Sequence, residues 1–462
     1  MSFMPYKLKS TVISASAASL AALVMFSGAC EAASSVPDFI PETVLGPGAA
    51  PNGVVAVDEN AVFVAATATN SSGASVAEVL IFGRVHNSLQ QTGTVVLKSG
   101  DEAEGMSITP DKTTLVVALE NSGVALVNVG DALAGKAEPS IVDQSNGGTI
   151  SDPGTFGTAV TPDGKYAFIA NEFGKITPTS PPGNVGLIAL SKQRDGRTTG
   201  TAVGFIPVVG STIADVSISA DGQRAYATTE AVNDKNTTLS GTSNAALVST
   251  QCVEDNPQAP TSNGALNVID VAKAIAGAAT PGSTPNVIRS AVLTTIAAAC
   301  SPVRVQETLD GSSVWLTARG SNELLQFDRA KLTADPDNAL LQTVPSNGLA
   351  PVGLYLDPVR PNLMITNSDR WNASPTSTTT PPVSQMNLSV FDISGPRAKL
   401  VQTLQTGAFP RAIATTDQEK TVFVTNYDDD TVSVFTQQDE GSVAGGAGIS
   451  PFGFFGAQPQ RR

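Results

Sequence analysis

The sequence predicts an all-β fold, a seven-bladed β-propeller of four-stranded blades whose ring is closed by an N-terminal strand. Three observations carry this expectation. A strand–turn–strand pattern recurs along nearly the whole chain of 462 residues. Asp-Gly or a similar turn joins the first two strands of most copies, and long amphipathic helical patterns are almost absent. Hydrophobic residues make up 41% of the chain and charged residues only 15%, which suits many short strands joined by turns.

The clearest copies are GTAVTPDGKYAFIANEFGK from Gly157, DVSISADGQRAYATTEA from Asp215, VRVQETLDGSSVWLTARGSNELLQFD from Val303 and RAIATTDQEKTVFVTNYDDDTVSVF from Arg411. Less regular copies begin at Gly53, Gly105 and Val352, making seven. Asp-Gly between alternating apolar runs is a hairpin signal, because the turn needs a positive φ that Gly adopts at little cost. Each copy supplies strands A, B and C, and a weaker outer strand D follows, as at residues 94–97, 202–206, 287–295 and 399–404. Seven such units form a propeller in which each blade buries its faces against its neighbours. Little strand-like sequence follows Phe435, whereas residues 42–45 precede the first copy, so the N-terminus is expected to supply the missing outer strand of the last blade.

VFVTNYDDDTVSVF in the last copy, AFIANEFG in the third and LMITNSD in the sixth resemble the YVTN repeat. GAFPRAIATTD and GAAPNGVVAVDE resemble that repeat's Gly-x-x-Pro approach to strand A. The resemblance covers roughly residues 41–436. It implies the seven-bladed propeller of the YVTN and lactonase-like families, which include lactonases, muconate-cyclising enzymes and surface proteins. Fold alone does not choose among these.

Outside the repeats, residues 1–32 read as a signal peptide: Lys7 and Lys9 precede an apolar run over residues 17–26, with small residues before Ala29 and Ala32. Residues 41–440 are expected to form the propeller and 441–462 a flexible Gly-rich tail. The expected location is extracellular, or periplasmic or lipid-anchored through Cys30 if the source is bacterial. If cleavage follows Ala32, Cys252 and Cys300 remain, and an even pair in an exported chain predicts a disulfide. Sequons stand at Asn70, Asn236, Asn372 and Asn387. The net charge of −14 argues against a nucleic-acid partner. No transmembrane segment is expected, and the protein reads as a monomer.

Insertions are expected mainly in B–C loops, at residues 67–76, 172–183, 230–263 and 368–386, so that one face is elaborated and carries binding. Cys252 and Cys300 both map to that face. Residues that begin strand A or end strand B there should surround the central channel. They are Glu104, Glu120, Asn171, Glu172, Asp215 and Glu230 on blades 2 to 4, and Arg304, Arg319, Asn367, Asp369, Arg370, Arg411 and Asn426 on blades 5 to 7. Carboxylates gather on one side and arginines on the other. Arginine forks suit a carboxylate or phosphate, while opposing acids can hold hydroxyls, amines or a cation; mutual pairing of these charges is the simpler reading.

His86, the only histidine, follows strand C of blade 1 on the opposite face, which argues against a Ser-His-Asp system or a His-rich metal centre. Asp428, Asp429 and Asp430 could touch calcium but lack the spacing of a dedicated loop, so no metal or other cofactor is expected otherwise. Phe173, Trp371 and Tyr427 offer stacking surface on the elaborated face. The leading expectation is a secreted propeller that binds a small anionic or hydroxylated ligand, or a protein partner, at the channel mouth. Alternatives are a lactonase- or muconate-cyclase-like hydrolase or isomerase using the channel carboxylates and arginines, and a cell-surface scaffold.

Overall fold

The computed structural model describes residues 39–46, 48–58, 60–86, 88–144, 153–172, 183–232, 251–252, 261–358, 360–369, 386–416 and 420–437. Contacts divide the chain into Met1–Ser35 and Val36–Arg462, and every described residue belongs to the second unit. The expected signal peptide and C-terminal tail lie outside the described residues.

Seven antiparallel four-stranded blades form the ring. They run from Ala50–Asp58 to Ser88–Ser99 (blade 1), Ala103–Ile108 to Ser140–Asp143 (blade 2), Thr155–Val160 to Thr198–Pro207 (blade 3) and Ser211–Ile218 to Val292–Ala297 (blade 4). Blade 5 runs from Pro302–Glu307 to Leu340–Pro345 and blade 6 from Pro351–Leu356 to Lys399–Gln405. Blade 7 takes Pro410–Thr415, Thr421–Asn426 and Thr431–Gln437 from the C-terminal repeat and its outer strand, Phe39–Leu45, from the other end of the chain. Phe39 pairs with Gln437 and Leu45 with Val432, which is the closure the sequence predicts.

The A–B turns follow from their chemistry. In TPDGK, SADGQ and TLDGS the hydroxyl of Thr161, Ser219 or Thr308 opens the turn, and Asp163, Asp221 or Asp310 accepts a backbone N–H two residues on. Gly164, Gly222 and Gly311 then take φ of 66–71°. In blade 2 Lys112 occupies that place at φ 56°, the non-glycine exception.

A β-bulge opens every strand A, for example between Pro302 and Val305, Pro351 and Leu354, and Pro410 and Ile413. A bulge leaves one N–H outside the ladder. In blades 5, 6 and 7 a strand-B threonine takes it: Thr317 accepts from Arg304 N, Thr366 from Gly353 N and Thr425 from Ala412 N, at 2.7–3.1 Å. The same hydroxyls donate onward to the next blade's strand A, at Val352 O, Arg411 O and Asn52 O. Thr228 makes the corresponding bond to Val303 O. The threonine of the VTN-like motif is thus an inter-blade clasp, and Thr425 to Asn52 carries it across the ring closure. Thr366→Val should leave a buried N–H and a buried carbonyl without partners and cost about 1–3 kcal/mol, read as a lowered Tm. An unchanged Tm would mean that the clasp contributes nothing.

Several expectations need correction. Residues 67–76 are not an insertion, because the hairpin of blade 1 continues to the pair Thr69–Ser75. The outer strand placed at 287–295 is two pieces: Asn286–Val287 adds in parallel to the edge of blade 3, and Val292–Ala297 closes blade 4. The C–D connections are not all trimmed. Those of blades 2, 4 and 5 hold short helices at Val129–Leu133, Val271–Ala276 and Lys331–Ala334. The first two are started by Asn128 and Asp270, whose side chains accept the N–H of Asp131 and Lys273. Among the described residues no helix is long and apolar enough to cross a membrane.

Cys252 and Cys300 form the expected disulfide, with Cα atoms 5.7 Å apart. It ties the two-stranded piece Gln251–Cys252 and Thr261–Ser262, within the blade 4 B–C insertion, to the lead-in of blade 5. Closing a 48-residue separation predicts about 2–4 kcal/mol of stabilisation. Reduction, or Cys252→Ser, should lower Tm accordingly; equal Tm with and without reductant would refute a structural role.

Candidate active site at the channel mouth

Where each blade enters strand A, the chain passes through a left-handed residue in five of seven cases: Gly154, Thr212, Ser301, Ala350 and Phe409, at φ 45–60°. Four of these are not glycine, a conformation such residues adopt only when the surroundings enforce it. The turn sends the first residue inside each strand-A bulge towards the channel. Around the ring those positions are Asn52, Glu104, Phe156, Ala214, Val303, Val352 and Arg411. The ends of the B strands add Glu120, Glu172, Glu230 and Arg319 above them. With Phe409 and Tyr427 these groups, apart from Asn52, which lines the deeper cavity, enclose a cavity of about 310 Å³.

The cavity is electrostatically divided as expected, with carboxylates on blades 2 to 4 and arginines on blades 5 and 7. Arg319 pairs with Glu230 at 3.0 Å, both largely buried. Arg411 approaches Glu104 at 3.5 Å, and its guanidinium lies 5.1–5.4 Å from the ring centroids of Phe156, Phe409 and Tyr427. Such faces attract a cation. Even so, burial lowers the pKa of Arg411, and burial also raises that of Glu104 against the pull of Arg411 and the bond from Asn52 Nδ2. Carboxylate oxygens of Glu102, Glu104 and Glu120 lie within 4.8 Å of one another, so these three are the described residues that could hold a cation.

Glu172 is the most chemically distinctive member. Burial, reinforced by Glu230, Glu104 and Glu120, raises its pKa to about 7 despite the opposing charge of Arg319. A carboxyl poised near neutrality, in a cavity facing guanidinium groups, can take or give a proton.

Of the remaining candidates, Asp215 and Arg304 lie one layer deeper in the channel. Burial raises Asp215 to about 6, and its carboxylate accepts the Val305 N–H. Asn171, Asn367 and Asn426 do not reach the cavity. Each ends a B strand, is fully buried and clasps the facing C strand: Asn171 Nδ2 donates to Asn184, Asn367 Nδ2 to Asn387 and Ser389, and Asn426 Nδ2 to Thr431 and Ser433. Asp369 is buried beside Leu349, whose carbonyl accepts its N–H. Arg370, Phe173 and Trp371 lie outside the described residues.

His86 is exposed in the C–D turn of blade 1, at the opposite end of the blade from the mouth. Asp429 stabilises its own turn, accepting from Ala408 N at 2.8 Å and Thr431 Oγ1 at 2.5 Å. Asn387 is only 2% exposed and its amide is bonded to Asn367, Ser389 and Asn347, so the folded blade has no room for a glycan there. Asn70 forms an Asx turn with Ser72 and Ala74. Asn236 and Asn372 lie outside the described residues.

Phe156, Phe409, Asn52 and Glu102 were not foreseen. Phe156 and Asn52 occupy the same repeat position as Glu104 and Arg411, and strict alignment of the copies would have found them. A groove of about 480 Å³ between blades 2 and 3, on the A–B face, is lined by Lys192 and Lys165, which pair at the surface with Asp111 and Asp163.

No protein-family profile matches this chain, and no curated protein matches it. Among solved structures, a chain of the crystal structure of a mitotic checkpoint complex is similar with a TM-score of 0.53 and 12% identity, covering 87% of this chain and 95% of that one. In all 1048 chains match, and likeness at such low identity speaks to the propeller fold alone. The protein is therefore a seven-bladed β-propeller with a buried acidic cluster at its channel mouth, and nothing found ties it to the YVTN or lactonase-like families in particular.

Proposed function

We propose that this protein is an acid–base enzyme of the lactone-hydrolysing or cycloisomerising kind, with its reaction centre at the channel mouth. The observation that carries the reading is Glu172, a carboxyl with a pKa of about 7 in a cavity whose far side holds Arg319 and Arg411. Glu172 acts as the general base, taking a proton from water or from the substrate carbon. The guanidinium groups stabilise the negative charge that then develops on oxygen. A pure binding site has no need of a carboxyl held half-ionised at neutral pH, whereas proton transfer is fastest with one. Export to an oxidising compartment belongs to the same proposal and is supported by the Cys252–Cys300 disulfide.

The test is turnover by the purified, oxidised protein across a panel of γ- and δ-lactones and unsaturated diacids. Conversion of at least one class, with kcat/KM rising through pH 7, is expected. Saturable binding without conversion of any of them would replace this reading with that of a binding module.

A further inference from the structure

One layer below the mouth, the next residue along each strand A faces the channel: Gly53, Gly105, Gly157, Asp215, Arg304, Gly353 and Ala412. The glycines are required by blade packing. A Cβ on Gly353 would stand 2.1 Å from Arg411 O, and one on Gly105 would stand 2.4 Å from Phe156 O. The consequence is a cavity of about 130 Å³ whose lining carries two ionisable side chains, Asp215 and Arg304, among glycines and uncharged residues such as Asn52, Met106 and Thr158.

Arg304 is held but not neutralised. Its Nη1 donates to Ala214 O at 3.0 Å and lies 3.5 Å from Val303 O, and among the described residues no carboxylate comes within salt-bridge distance. Asp215, its neighbour, turns to the Val305 amide instead. Arg411 descends from the layer above, and the two guanidinium carbons each lie 5.2 Å from the centroid of the Phe156 ring. Arg411 Nε is buried and bonded to none of the described residues. Two cations thus converge on one ring. Glu104 already faces Arg411 at 3.5 Å, so the openings for an added anion are Arg304, which has no carboxylate partner among the described residues, and the unbonded Nε of Arg411.

We propose that this layer is an oxyanion subsite, in which Arg304 and Arg411 hold a carboxylate or phosphate group of the substrate while the rest of the molecule fills the mouth above. The proposal rests on the reading of the mouth as the reaction centre and adds the substrate class: an anion, entered acidic end first. The ring of Phe156 then keeps the two guanidiniums apart and dry until the anion bridges them.

The experiment is calorimetric titration of the full chain with benzoate, benzamide and inorganic phosphate, repeated with Arg304→Gln and Arg304→Lys. Lys192→Gln, on the opposite face, is the control. One anion should bind at least tenfold tighter than benzamide. That preference should be lost in Arg304→Gln, partly kept in Arg304→Lys and unchanged in Lys192→Gln. Benzoate alone binding assigns a carboxylate, and phosphate alone assigns a phosphate. Anions binding no better than benzamide, or equally well to Arg304→Gln, would overturn the subsite. Turnover of a neutral lactone by a chain that binds no anion would sink this subsite and leave the acid–base centre standing.

Discussion

Glu172→Gln is expected to lower kcat by about 10²–10⁴-fold with little change in ligand affinity, because it removes the base but keeps the size and polarity of the side chain. The same substitution should stabilise the fold at alkaline pH. The folded-state pKa of Glu172 is raised from 4.5 to about 7, so the native state binds a proton that the unfolded chain has already released. Stability therefore falls as pH rises from about 4.5 through 7 and levels off near pH 8, a loss on the order of 3 kcal/mol. The variant escapes that loss. A gain in Tm at pH 8 that vanishes near pH 4.5, together with collapsed turnover, is the signature of an acid kept strained for use. Lost turnover without the pH-dependent gain would mean that Glu172 is not the perturbed group.

Opening the ring should have the largest effect on stability. A chain beginning at residue 46 lacks Phe39–Leu45, and with it the outer strand of blade 7 and two buried side chains, Phe39 at 1% and Leu45 at 8% exposure. Their burial alone contributes about 3–6 kcal/mol, and the strand's ladder adds to it. The cut also bares the edge of Thr431–Gln437, a ready template for pairing between molecules. The truncated chain should melt well below one beginning at residue 38 and should self-associate. Equal Tm and a monomeric state for both would show that blade 7 stands without its N-terminal strand.

The blades were legible because the hairpin code is local: Asp-Gly turns and alternating apolar residues mark strands A and B wherever they occur. Ring closure was legible because the last copy lacked a fourth strand and the N-terminus offered one. The site was half legible. Glu104, Glu120, Glu172, Glu230, Arg319 and Arg411 do meet at one cavity, since counting from strand ends places them there. Asn171, Asn367 and Asn426 stand beside them in sequence yet point into the blades, because the last strand-B residue is turned towards strand C. Phe156 was missed because a lone aromatic in an apolar strand carries no signal by itself; only the bulge decides that it faces the channel. The helices of the C–D connections hid in short N-capped runs such as NVGDAL and DVAKAI, too brief to show a helical period.

The ionisation of the mouth carboxyl Glu172 near neutrality can be tested before any substrate is known. Side-chain carboxyl resonances would be followed by carbon-13 NMR between pH 3 and 9 in the wild-type chain and in Glu172→Gln. A glutamate resonance titrating close to pH 7 that disappears in the variant is the expected result. If Glu172 instead titrates below pH 5, the mouth holds an ordinary carboxylate and the acid–base reading is wrong.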